Sequence, residues 1–132
     1  MPIVLRGAIF ALACLCVIPF EAAAWERGHV DRFAALPAGA ANPEGIAVDR
    51  HGDGYVTTFA VAGEAPGKVF VFDAQGHLKR ELAVAGSSNL LLGIGFNPVT
   101  DELLVLDFGA GNVLRVDPHS GAASVFSGAR AE

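Results

Sequence analysis

Gly45 to Gly76 reads GIAVDRHGDGYVTTFAVAGEAPGKVFVFDAQG, and Gly93 to Gly121 reads GIGFNPVTDELLVLDFGAGNVLRVDPHSG. Each stretch runs apolar strand, polar turn, apolar strand, Gly-rich loop, apolar strand, Asp, and a turn that ends in Gly. Gly45 aligns with Gly93, Asp49 with Asn97, Val69 with Val113, Asp73 with Asp117 and Gly76 with Gly121. The offset drifts from 48 to 44 because the middle loops differ in length. A repeat of about 45 residues built from three or four short strands matches a β-propeller blade. Parallel solenoids need shorter repeats, and helical arrays need apolar residues every three to four positions. The expected fold is therefore all-β, with about two four-stranded blades and a leading strand.

In the first unit, strands are expected near 46–49, 54–58, 68–72 and 78–84, with tight turns at Asp49 to Gly54 and Asp73 to Gly76. In the second they are expected near 92–96, 102–107, 112–117 and 122–127. Upstream, HVDRFAAL from His29 to Leu36 occupies the place that LKRELAV holds before the second unit, so it reads as the outermost strand of a preceding blade. Pro37 to Pro43 then reads as a crossing, rich in residues that bend chains. The resulting layout is a leader at 1–24, a leading strand and linker at 25–44, and blades at 45–86 and 87–132.

Residues 1–24 differ in kind from the rest. One positive charge precedes an apolar run of 14 residues from Gly7 to Phe20, and Ala22, Ala23 and Ala24 supply small residues ahead of Trp25. That is the layout of a secretory signal peptide, with a retained anchor or a lipid on Cys14 as alternatives, and it implies a periplasmic or secreted protein. Both cysteines, Cys14 and Cys16, lie in this run, so the mature chain holds itself together without disulfides. Beyond it remain 8 basic and 13 acidic residues, a net charge of −5 with no basic cluster, which argues against nucleic acid as a partner.

The blade count carries its own expectation. Closed propellers use about four to eight blades, and two would leave unpaired edges and apolar faces open to self-association. The sequence, which stops at Glu132, is thus read either as the N-terminal part of a longer propeller or as a chain that assembles with copies of itself.

At Pro43-Glu44-Gly45-Ile46-Ala47-Val48-Asp49, followed by Gly54-Tyr55-Val56-Thr57, the chain resembles the six-bladed propellers of the gluconolactonase and regucalcin family and their NHL-repeat relatives. Leu92 to Pro98, Leu104 to Gly109 and Val113 to Pro118 look like the next blade of the same design, so the resemblance covers about residues 29 to 127. It implies a divalent metal such as calcium or zinc on the channel axis, held by Glu, Asn and Asp side chains from different blades. There the metal would polarise a lactone carbonyl for attack by water. Carried over by position, the metal candidates are Glu44 and Asn89, and the catalytic candidate is Asp107. Glu44 departs from the enzymatic pattern, since Pro43 precedes it and Ile46 follows the Gly, which moves the match toward the NHL-like, non-enzymatic pattern.

Each candidate also has a plainer reading. Glu44 serves equally as a solvated carboxylate at the channel rim, Asn89 as a turn former, and Asp107 as an acceptor for backbone N–H groups of the Gly109 to Gly111 loop. Asp49, Asp73 and Asp117 read as turn residues, and the four histidines lack the spacing of a zinc site. No Gly-x-Ser-x-Gly, phosphate-binding loop or nucleophilic Cys is present. The expectation is an exported propeller that hydrolyses a sugar lactone or related ester when complete. The alternatives are a propeller that binds a small molecule or protein without catalysis, and an inactive fragment.

Overall fold

The computed structural model describes residues 28–63 and 66–128, so the expected signal peptide lies outside the described residues. The chain divides into two units, Met1–Val30 and Asp31–Glu132. The second contains eight strands: β1 (Asn42–Val48), β2 (Gly54–Phe59), β3 (Lys68–Phe72), β4 (Leu78–Ala83), β5 (Leu91–Phe96), β6 (Leu103–Asp107), β7 (Asn112–Val116) and β8 (Ala123–Gly128). They form two antiparallel sheets of four, ordered β1-β2-β3-β4 and β5-β6-β7-β8, and no helix occurs among the described residues. Each sheet is a simple meander. The chain leaves one sheet at its last strand and enters the next at its first, which gives two propeller-like blades.

Four hairpin turns share one local device. Asp49 accepts backbone N–H bonds from His51 and Asp53 at 2.8 and 2.9 Å, and Asp73 does the same for Gln75 and His77 at 2.9 Å. Asn97 accepts from Val99 and Thr100, and Asp117 from His119 and Ser120. A short polar side chain at the head of each turn thus captures the donors that the reversal leaves unpaired. Each turn then passes through the left-handed region, at Gly52, Gly76, Asp101 and Gly121. Asp101 does this at φ 59°, with its carboxylate 3.2 Å from Arg50.

The core lies between the two sheets. Alternate residues Tyr55, Val69, Val71 and Leu82 of the first blade meet Leu91, Leu103, Val105, Leu114 and Val116 of the second, with Ile94, Phe96 and Ala123 at the margin. Tyr55 and Phe96 stack edge to face at 5.1 Å. Burial of each Val or Leu contributes about 1.5 to 3 kcal/mol, and this interface is the hydrophobic core of the described residues. The repeat makes the opposite faces its counterparts. Ile46, Val56, Phe70 and Phe72 of the first blade match Ile94, Val105, Leu114 and Val116, whereas Leu104, Leu106 and Val113 of the second match Tyr55, Thr57 and Val69.

Two boundaries differ from expectation. β1 begins at Asn42, because Pro43 is accommodated at a break in the β1–β2 register between Pro43 and Ile46. The stretch from His29 to Leu36 forms no ladder with either sheet. Strand character requires a hydrogen-bonded neighbour, and the blade this stretch would belong to is not among the described residues. Its Phe33 carbonyl nonetheless abuts Gly76, as the Ala83 carbonyl of β4 abuts Gly121. Its residues 33–36 border a hollow with Ile46, Val56 and Phe72.

One pair of glycines records the stacking directly. A methyl group at Gly45 would meet the Leu92 carbonyl at 2.6 Å and the Thr57 hydroxyl at 2.9 Å, whereas at the equivalent Gly93 its nearest neighbour is Leu106 Cβ at 3.9 Å. Gly45→Ala is expected to destabilise the chain by about 2 kcal/mol and Gly93→Ala by less than about 0.5 kcal/mol. Urea unfolding of the two variants is the check.

Candidate functional site

The chain between β4 and β5 must travel from one edge of the first blade to the far edge of the second, and its polar backbone needs partners on the way. Ser88 and Asp107 provide them. Asp107 ends β6 at 1% exposure and accepts the Ser88 backbone N–H at 3.0 Å, the Ser88 hydroxyl, and the Ala110 N–H at 3.2 Å. The Ser88 hydroxyl oxygen in turn accepts the Leu90 N–H at 3.1 Å. Around this clasp, Gly67 N–H donates to the Ser88 carbonyl, Ala60 N–H to that of Asn89 and Phe108 N–H to that of Leu90. The crossing is thereby tied to both blades. Asp107 thus combines a bond into its own loop, at Ala110, with two bonds into the crossing.

Glu44 is exposed, at the register break in β1, and borders a depression with Phe59 and Leu92. Asn89 is half-buried, and its amide donates to the Gly63 carbonyl at 3.0 Å. It borders an adjoining depression with Thr58 and Lys68. Among the described residues, no three His, Cys, Asp or Glu side chains group closely enough to hold a metal ion, so no acidic set completes Glu44 and Asn89 within these two blades. In the first blade Thr58 stands where Asp107 does, and its hydroxyl turns instead to the Lys68 carbonyl at 3.2 Å.

At the opposite, turn-bearing end lies a second concentration of polar groups. Lys79 is paired with the largely buried Asp53, and Arg50 with Asp101. Tyr55, Arg80, Phe96, Pro118 and His119 line a cleft between the blades. Burial pushes the Tyr55 phenol up, outweighing the neighbouring Arg80 guanidinium. Burial also opposes ionisation of Asp49, but the N–H bonds from Asp53 and His51 outweigh it and hold its carboxyl below the usual range. Asp73 is lowered chiefly by the His77 N–H, and Asp117 by the Ser120 N–H and hydroxyl. This cleft escapes sequence reasoning because Tyr55, Val71 and Arg80 share one row only through the strand register.

No family model and no curated protein matches the chain.

Two outcomes follow from this chemistry. Asp107→Ala is expected to cost about 3 kcal/mol, because it strands buried donors, and Asp107→Asn less; thermal unfolding reads both. Asp49, Asp73 and Asp117 have depressed folded-state values. Their contribution is therefore complete above the ordinary Asp value of about 3.9 and is lost as pH falls through the folded values. The urea midpoint is expected to drop on acidification from about pH 5 to about pH 3, and to drop less in the Asp73→Asn, Asp117→Asn double variant.

Proposed function

We propose that this chain supplies blades to a propeller that holds a ligand or another protein, and that it does not itself hydrolyse an ester. What supports this reading is the use already made of its chemical groups. Asp107 is closed off at 1% exposure with its oxygens engaged by Ser88 and Ala110, which leaves no face for a substrate or a water. A general base must reach the proton it takes.

The open blade faces support membership of a larger ring. Gly93 and Gly95 leave room beside Leu106 at the face where, one repeat earlier, Gly45 admits the backbone of β5. Exposed Ile46 and Val48 mark the other end of the stack. Self-association through such faces follows from the apolar area they leave in water. A second reading, metal-assisted opening of a lactone, rests on Glu44, whose exposed carboxylate at the β1 bulge remains open to a ligand set completed by further blades.

Folded, purified chain is expected to show no turnover of a sugar lactone with calcium, zinc or manganese. Metal-dependent turnover that is lost in Glu44→Gln would replace the binding reading with the hydrolytic one. In light scattering, concentration-dependent association is expected, and Leu106→Glu should reduce it. A wild-type chain that stays monomeric at high concentration overturns self-association.

A further inference from the structure

The repeat supplies an internal control for function: what both blades carry serves the architecture, and what one blade alone carries asks for another reason. Asp49 and Asn97 recur, as do Asp73 and Asp117, and all four close turns. Tyr55 and Arg80 do not recur. Their counterparts are Leu104, and Ser124 opposite Arg115. Both project from the first blade toward the second, across the row Tyr55–Val71–Arg80.

Arg80 stands apart from the other cations of the cleft. Lys79 is matched by Asp53 and Arg50 by Asp101, while Asp49 is occupied by backbone N–H groups and lies 3.5 Å from the Tyr55 hydroxyl. Arg80 has no carboxylate partner among the described residues; its guanidinium lies against the Tyr55 hydroxyl, and its Nε is buried without a hydrogen-bond acceptor. A guanidinium without a carboxylate is suited to donate two parallel bonds to one. The cleft that Arg80 lines measures about 370 Å³ and is walled by the Tyr55 and Phe96 rings and by Pro118.

From this we infer that the turn-end cleft between the blades is a binding site for a small monocarboxylate with an apolar or aromatic body, with Arg80 taking the carboxylate and Phe96 and Pro118 the body. The neighbouring Asp49, Asp53 and Asp101 decide the charge of the ligand. One carboxylate is accommodated by Arg80, the basic residue of the cleft with no carboxylate partner among the described residues, whereas a phosphate or a polycarboxylate meets three nearby acids. The cleft is formed wholly by the two blades described here, so it is complete whether or not further blades join.

Benzoate is the probe. Titrated into the full chain and followed by amide chemical shifts, it is expected to give saturable changes at Tyr55, Arg80 and His119. Benzamide, which has the same shape without the charge, should bind at least about tenfold more weakly, as should benzoate to Arg80→Met. Inorganic phosphate should not compete. Equal binding of benzamide, undiminished binding to a folded Arg80→Met, effective competition by phosphate, or no saturable shift at millimolar benzoate overturns the site. Should Arg80→Met fail to fold, the comparison of benzoate with benzamide on the wild-type chain decides the matter alone.

Discussion

Everything in this structure depends on how one polar stretch of chain is carried between two apolar sheets. The segment from Val84 to Leu90 crosses from one blade to the next, and the Asp107 carboxyl holds it there through Ser88. Without that clasp, the N–H groups of Ser88 and Ala110 would lose their acceptor at the point where the blades meet. Apolar burial presses the blades together, but it is non-directional and would tolerate sliding. The clasp and the surrounding backbone bonds set the register in which Tyr55 meets Phe96 and Gly45 meets Leu92.

Much of the fold was legible in the sequence because its signals are local. Asp or Asn heads four of the six hairpin turns, Gly closes three of those four, and runs such as KVFVF are the short unbroken apolar stretches of a strand buried on both faces. The stretch from His29 to Leu36 was less legible, since its pattern suits a strand while a ladder needs a neighbour that no local signal supplies. The start of β1 was hidden for a related reason: Pro43 reads as a strand breaker, and only the register break shows how the strand absorbs it.

The site was legible in proportion to how near its partners lie. The backbone-acceptor reading of Asp107 was available from the adjacent Gly109 to Gly111 loop, yet the larger share of its bonding goes to Ser88, 19 residues away. The Arg80 and Tyr55 pair required two successive strand registers before either residue drew attention. Glu44 and Asn89 were singled out by resemblance to positions in a whole ring, and two blades alone place them beside adjoining depressions without a third acidic partner among the described residues.

The shared turn device also bears on how the chain reaches this state. Because Asp49, Asp73, Asn97 and Asp117 each bond donors within four residues, these four of the six hairpins carry the means of their own closure, whereas the β2–β3 hairpin is tied at Ala60 and Gly67 to the crossing. Hairpins of this kind close in microseconds. The pairing of Thr57 with the Leu92 carbonyl, 35 residues away, must wait for a much longer loop to close. Folding is therefore expected to divide into an early, local phase that makes blades and a later one that joins them, with the apolar faces exposed in between.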